Sequence, residues 1–271
     1  MPELPEVETT KQGISPHIRN KRVREIIVRQ RKLRWEVPND LLIDLPGNKI
    51  TNIQRRGKYL LLYSSKGVLI IHLGMSGSLR IVDESFSVGK HDHVDIVLEN
   101  GNALRFTDPR RFGCILWGQE PIESHPLLVK LGPEPLSNEF DCDYLFAQSR
   151  HRSVAIKTLI MDSKIVVGVG NIYANEALFI AGINPKRQAR KISKLKYEKL
   201  VPSIKEVLRQ AISVGGTTLR DFTNISGEPG YFRQSLRVYG RGGQECSACK
   251  NILKEIRLGQ RSTVYCSRCQ R

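Results

Sequence analysis

The sequence predicts an α+β protein of two domains. A strand-rich N-terminal half follows a leading helix, and a mostly helical C-terminal half ends in a metal-binding hairpin. Three observations predict it. Short β-branched and aromatic runs separated by Gly, Asn or Ser fill the stretch from Tyr59 to Trp117. Beyond Leu131-Gly132-Pro133-Glu134-Pro135 the apolar period becomes helical. Four of the six cysteines crowd into the last 26 residues.

Each element has its own local reason. Pro5, Glu6 and Glu8 suit the first turn of a helix, where proline needs no amide partner and carboxylates meet the positive end of the dipole. Strands are predicted at Tyr59 to Tyr63, Val68 to Leu73, Ser78 to Val82, His93 to Glu99, Ala103 to Thr107 and Cys114 to Trp117, which suits a sandwich or a barrel. Val94, Ile96 and Leu98 alternate with Asp95, Val97 and Glu99, and Asn100-Gly101 then offers the positive-φ residues of a tight hairpin. Two prolines in three residues make 133–135 a stiff connector. Val166 to Ile172 is a glycine-punctuated turn feeding a helix from Tyr173 to Ala181. Such a turn suits either an anion site or a plain helix junction. Leu200, Ile204, Val207, Leu208, Ala211 and Ile212 share one helical face, which Gly215-Gly216 ends.

The chain has 271 residues, a formal net charge of +16 and a pI near 9.8. Such an excess attracts polyanions, and nucleic acid is the first candidate partner, against the plainer reading of an ordinary basic protein. Arg19 to Arg34 holds eight basic residues and one acidic, which fits a solvated strand edge or a DNA contact. No apolar run approaches the ~18 residues of a spanning helix, and the start lacks the basic and apolar regions of a signal peptide. A soluble, cytoplasmic protein is expected.

Cys246-x-x-Cys249 and Cys266-x-x-Cys269, separated by sixteen residues, have the spacing of a four-thiolate zinc site with a hairpin between the knuckles. Four thiolates leave no coordination position for water, so one structural zinc is expected, and no organic cofactor. Cys114 and Cys142, remote from these, are expected to be small buried apolar residues. Basic residues around the finger suit phosphate contacts, which set affinity rather than sequence preference.

Pro2-Glu3-Leu4-Pro5-Glu6-Val7-Glu8, Arg55-Arg56-Gly57-Lys58-Tyr59, Lys90-His91-Asp92-His93, Asp108-Pro109-Arg110-Arg111-Phe112-Gly113, Gly168-Val169-Gly170-Asn171-Ile172-Tyr173 and the four-cysteine finger together resemble the formamidopyrimidine-DNA glycosylase family. The resemblance runs from end to end in the family's order. It implies an N-terminal β-sandwich domain over 1–132, a linker at 133–138, a helical domain with a helix-two-turn-helix element over 139–239, and a zinc finger over 240–271, with DNA in the cleft between the halves. It also implies removal of 8-oxoguanine and formamidopyrimidines opposite cytosine from duplex DNA, followed by β,δ-elimination at the abasic site, by a monomer that uses no membrane.

The site residues follow by resemblance. Removal of Met1 would free the secondary amine of Pro2, and an α-amino group titrates near pKa ~8 against ~10.4 for lysine, so it is nucleophilic at neutral pH. Glu3 is the implied general acid/base, while Glu6 is read as a helix-dipole and packing residue. Lys58 matches the lysine that contacts phosphate and aids β-elimination. Arg261 matches the finger arginine at the leaving phosphate, where a permanently protonated guanidinium acts electrostatically. His91, Arg110, Arg152, Asn171 and Tyr239 match DNA contacts, although Arg150-His151-Arg152 departs from the family's lysine-rich run. Met75, Arg110 and Phe112 match the wedge that fills the space left by a flipped nucleotide, where core packing is the plainer reading for Met75 and Phe112. The stretch from Gly216 to Phe232 matches a loop over the flipped base. Two rivals stand beside this reading. One is the endonuclease-eight branch for oxidised pyrimidines, against which Leu4 and the complete wedge argue. The other is a non-catalytic zinc-dependent DNA-binding protein.

Overall fold

The computed structural model describes residues 2–216 and 236–271. They fall into two compact units. The first runs to Val129 and takes up the chain again from Val214, and the second comprises Lys130–Ser213 with the C-terminal end to Arg271.

In the first unit Leu4–Ile18 forms helix α1. Its start is a capping box: the Glu3 side chain accepts from the backbone of Glu6, while Glu3 N donates to Glu6 Oε2 at 2.8 Å. Leu4, Val7, Ile14 and Ile18 form its buried stripe. Strands β1 (Val23–Val28), β2 (Asn52–Arg56), β3 (Tyr59–Ser64), β4 (Gly67–His72), β5 (Ser78–Asp83), β6 (Asp92–Leu98), β7 (Asn102–Thr107) and β8 (Cys114–Gly118) build two antiparallel sheets. Their strand orders are β1-β6-β7-β5 and β2-β3-β4-β8. Leu60, Leu62, Leu69, Ile71 and Ile115 of one sheet share a core with Val94, Ile96, Leu98, Leu104 and Phe106 of the other. These core residues recur at a spacing of two and seat one sheet on the other, while β4 and β6 are buried almost throughout. The short helix α2 (Asn39–Asp44) braces it, with Trp117 Nε1 donating to Asp44 Oδ2 at 3.0 Å.

Two local expectations are corrected. The β6–β7 turn has three residues rather than two, and only Gly101 (φ 80°) takes the left-handed conformation. Asn100 does not need it, because a longer turn relaxes the demand that a two-residue turn places on both positions. Cys114 is fully buried, but Cys142 is only half-buried in the first turn of helix α3 (Cys142–Ser149).

The second unit continues with helices α4 (Ile156–Ile160), α5 (Asn171–Ile180) and α6 (Lys194–Ser213), then the hairpin β9 (Lys254–Leu258) and β10 (Arg261–Tyr265). Helix α6 buries Leu200, Ile204, Val207, Leu208 and Ala211 but leaves Ile212 partly exposed, and Gly215 and Gly216 follow at φ 79° and 83°. The Leu131–Pro135 segment packs against this unit: Gly132 N donates to Ser163 O at 2.8 Å and Val167 N to Pro133 O at 3.2 Å. No described helix is long and apolar enough to cross a membrane.

Candidate active site and nucleic-acid interface

In the first unit, Pro2 and Glu3 lie buried at the N-terminus of α1, Glu3 being only 2% exposed. Glu6, equally buried, serves as the reciprocal cap, as its helix position predicts. Lys58 follows Gly57 (φ 58°) in the turn between β2 and β3. Arg55 fixes that turn to α1, donating through Nε to Glu8 Oε2 at 2.8 Å and through a guanidinium nitrogen to Gly57 O at 2.9 Å. Burial alone would raise the Glu8 carboxyl. Hydrogen bonds from Lys11 and Arg55 outweigh that effect and hold it below its ordinary range.

His72 ends β4 opposite Tyr59, their rings 4.9 Å apart. Its Nδ1 accepts from Gly74 N at 2.9 Å, which leaves the ring proton on Nε2. Burial, followed by the charges of Lys58 and Arg34, pushes its pKa down to about 4, so the ring is a neutral N–H donor at physiological pH. His72, Arg34, Gly74, Met75 and Phe112 line a hollow of about 280 Å³. Met75 is 37% exposed and Phe112 46%, so neither is a core residue. The Arg110 guanidinium lies 4.8 Å over the Phe112 ring. His91 is half-buried, its ring edge-on to His93 at 6.4 Å.

In the second unit Arg152 and Arg261 line one hollow of about 280 Å³, with Val154, Lys157, Asp162 and Gly259. Arg261 opens β10 directly after a two-residue turn in which Gly259 (φ 54°) and Gln260 (φ 62°) are both left-handed. The Lys157 ammonium, almost fully buried, donates to Ser262 O at 2.8 Å and Thr263 Oγ1 at 2.7 Å and so anchors that hairpin to α4. The arginines of the 150–152 segment divide their work. Arg150 donates to the carbonyls of Ala189, Arg190 and Ile192 and stacks on Phe146 at 3.9 Å, whereas Arg152 is exposed.

Asn171 is the first residue of α5, after Gly168 (φ 81°) and the N-capping Gly170. Its Oδ1 is enclosed and finds no donor among the described residues. One turn on, Glu176 accepts from the backbone amides of Arg237, Val238 and Tyr239 at 2.8–2.9 Å, which fixes Tyr239 to the same helix. Asn175 Oδ1 accepts from Val264 N at 2.9 Å and its Nδ2 donates to Asn171 O at 2.6 Å. A short stretch of α5 therefore sets Asn171, Tyr239 and the finger together.

The four cysteine Sγ atoms all lie within 4.8 Å of one another, with Cys249 to Cys266 at 3.5 Å and Cys246 to Cys269 at 4.0 Å. A tetrahedron with Zn–S of ~2.3 Å has sulfur–sulfur edges of about 3.8 Å, so the cage fits zinc. Burial opposes ionisation of Cys266, but hydrogen bonds from the Cys269 and Arg268 amides pull its pKa down to about 6. Phe179, Val238, Leu253 and Val264 pack around the cage, so the metal closes a small core. Most of the Gly216 to Phe232 loop falls within residues 217–235 and lies outside the described residues.

No motif marked His72, Lys157 or Glu176, while Arg34 and Asp108 stand inside recognised stretches that gave them no role of their own. Two of these carried a faint signal: Lys157 and Glu176 are lone charges inside short apolar helices.

The family models bear directly on this geometry. Residues 1–115 match the formamidopyrimidine-DNA glycosylase N-terminal domain, 131–223 the helix-two-turn-helix (H2TH) domain of the same enzymes, and 243–271 a zinc finger found in them and in isoleucyl-tRNA synthetase. The chain belongs to the formamidopyrimidine-DNA glycosylase family. It is a DNA-repair glycosylase with one structural zinc. It is 59% identical over the full length of both chains to the formamidopyrimidine-DNA glycosylase of Stutzerimonas stutzeri, and 58% identical to that of Idiomarina loihiensis. Among solved structures it resembles the Thermus thermophilus protein (36% identity, 99% and 98% coverage, TM-score 0.89). It also resembles a Lactococcus lactis enzyme variant crystallised with Fapy-dG DNA (31% identity, 100% of both chains, TM-score 0.93). A further Lactococcus lactis complex contains abasic-site DNA (30% identity, 99% of both chains, TM-score 0.92).

Proposed function

We propose that this chain excises oxidised purines, 8-oxoguanine and formamidopyrimidines, from duplex DNA through an N-terminal proline amine, and then acts as a lyase at the resulting abasic site. The observation that carries this reading is the placement of Pro2 and the buried Glu3 carboxyl at the start of α1. With Met1 removed, the Pro2 nitrogen attacks the sugar C1′ while the glycosidic bond breaks and its electron pair leaves with the base. Glu3 passes a proton to the sugar ring oxygen as the ring opens, giving an iminium between Pro2 and C1′. The iminium withdraws electrons, so a C2′ proton is lost and the C3′–O bond breaks. Loss of a second proton then expels the 5′ phosphate.

Lys58 and Arg261 are assigned to the flanking phosphates, and His91, Arg152, Asn171 and Tyr239 to the backbone that positions the strand. Met75, Arg110 and Phe112 are assigned to the gap left by the flipped nucleotide, a role their exposure supports. Of the two rivals, the pyrimidine branch is disfavoured by Leu4. Four thiolates at zinc leave the metal no catalytic position, so the chemistry rests on side chains of the chain itself. We further read the enzyme as a cytoplasmic monomer organised as domains 1–132, 139–239 and 240–271 with a linker at 133–138.

The test is base release and strand incision on a duplex carrying one 8-oxoguanine opposite cytosine, beside the same duplex with 5-hydroxycytosine or no lesion. Free 8-oxoguanine with phosphate at both new ends supports the reading. Preference for the pyrimidine lesion assigns the chain to the other branch, and binding without cleavage removes the catalytic assignment.

A further inference from the structure

The exposed wedge side chains Met75, Arg110 and Phe112 touch little of the core, so something else must set where they point. Met75 is 37% exposed and Phe112 46%, and the contact of Arg110 with the Phe112 ring is between two members of the wedge itself. Their position therefore comes from the backbone of two loops. One is the turn after β4 that holds Met75, and the other is the 108–113 segment between β7 and β8.

Both loops converge on Asp108, whose side chain is completely buried. Its Oδ1 accepts from Ser76 Oγ at 2.8 Å, next to Met75, and from Arg110 N at 3.2 Å. Its Oδ2 accepts from Gly113 N at 2.8 Å, next to Phe112. The main chain of the same residue ties in the end of β6: Asp108 N donates to His91 O at 3.0 Å, and His93 Nε2 donates to Asp108 O at 2.8 Å. The two loops also touch backbone to backbone. A Cβ on Gly74 would lie 2.4 Å from Gly113 N and Phe112 C, so no side chain fits between them. Within the second loop Arg111 is held at φ 55°, a conformation that non-glycine residues adopt only when their surroundings impose it.

We propose that Asp108 is a positioning residue for strand invasion. Its buried carboxylate locks the Met75 turn and the Arg110–Phe112 loop into one preassembled wedge, so that the three side chains enter the base stack without first being ordered. A carboxylate is buried at this cost only where donors surround it, and the three donors here come from the two loops that carry the wedge. Preorganisation of this kind raises the efficiency of the step that needs the geometry and leaves other steps unaffected. This inference rests on the assignment of Met75, Arg110 and Phe112 to the vacated space.

The consequence is a substrate-dependent defect. A paired 8-oxoguanine must be extruded from an intact stack, whereas an abasic site has no base to extrude. Asp108→Asn keeps the shape but puts an NH₂ against one of the donors and weakens the remaining bonds. Hydrogen bonds to a charged group contribute enough that their loss is expected to lower kcat/KM on an 8-oxoguanine:cytosine duplex about tenfold to a hundredfold. Cleavage of a preformed abasic site in the same duplex should change less than about threefold. Ser76→Ala, which removes one donor from Oδ1, should shift the same ratio in the same direction by a smaller factor, and it carries the test if Asp108→Asn fails to fold. A Met75→Ala/Phe112→Ala double variant calibrates the wedge itself. If the double variant loses more on 8-oxoguanine than on the abasic site while Asp108→Asn and Ser76→Ala do not, the positioning role is overturned. If the double variant loses equally on both substrates, the wedge assignment beneath it is overturned. An equal loss on both substrates by Asp108→Asn would mark a general folding role and likewise overturn the proposal.

Discussion

His72 is neutral in the folded protein because its surroundings resist a charge, and that resistance sets a measurable pH dependence. Its pKa moves from 6.5 to about 4, through burial first and the neighbouring Lys58 and Arg34 charges second. Between those values the unfolded chain binds a proton that the folded chain does not, so stability rises with pH across this window and is lost as pH falls from 6.5 toward 4. At ~1.4 kcal/mol for each tenfold change in proton affinity this corresponds to between about 3 and about 4 kcal/mol, and the partial exposure of His72 reduces it toward about 2 kcal/mol. Both tryptophans, Trp35 and Trp117, lie in the N-terminal unit, so tryptophan fluorescence during urea unfolding reports that unit alone. Comparison of the wild type with His72→Gln, whose amide oxygen can still accept from Gly74 N, cancels the other histidines. The difference between the two should grow against the wild type as pH falls from 6.5 to 4, and ring ¹⁵N spectra should show an Nδ1 that stays unprotonated through pH 6.5 and gains its proton only as pH nears 4. Parallel stability curves, or an imidazole titrating near 6.5, would refute the reasoning.

Three further outcomes follow from the same geometry. Chelating the zinc should unfold the finger, release the Lys157–Thr263 and Asn175–Val264 bonds, and abolish duplex binding, read by one equivalent of released metal per chain and by fluorescence anisotropy. Arg152→Ala should weaken DNA binding and reduce the salt dependence by about one phosphate contact with no change in melting temperature, whereas Arg150→Ala should destabilise the second unit by about 2 kcal/mol because it removes hydrogen bonds to three carbonyls, two of them part-buried. The Glu8 and Asp95 carboxyls are both held low, the first by Lys11 and Arg55 and the second by Arg105 and Arg29, each against the opposing effect of burial. Their stabilisation is therefore complete above pH ~5 and is lost as pH falls through their lowered pKa values, so Asp95→Asn should approach the wild type in stability only at strongly acid pH.

The strands from β3 to β8 are legible because they are apolar and β-branched runs between turn residues, and in β4 and β6, buried almost throughout, composition rather than alternation marks them. β2 is not: in Asn-Ile-Gln-Arg-Arg only Ile53 reaches the core, so an edge strand leaves almost no pattern. The zinc cage is legible because its four ligands are close in sequence as well as in space. The positioning network is not legible. Glu176 reaches Val238 across 62 residues and Lys157 reaches Thr263 across 106, and no local pattern links such pairs. Asp108 is hidden differently: it sits inside a recognisable motif, yet its partner Ser76 lies 32 residues earlier, on another loop. Motifs therefore mark the groups proposed to touch DNA, and the fold alone reveals the groups that hold them.

The most direct test of the central claim is borohydride reduction during turnover of a duplex carrying one 8-oxoguanine opposite cytosine, with mass mapping of the trapped peptide. A covalent adduct on the nitrogen of Pro2, in protein lacking Met1, is the predicted result. An adduct on a lysine, or base release with no trapped species, would contradict it.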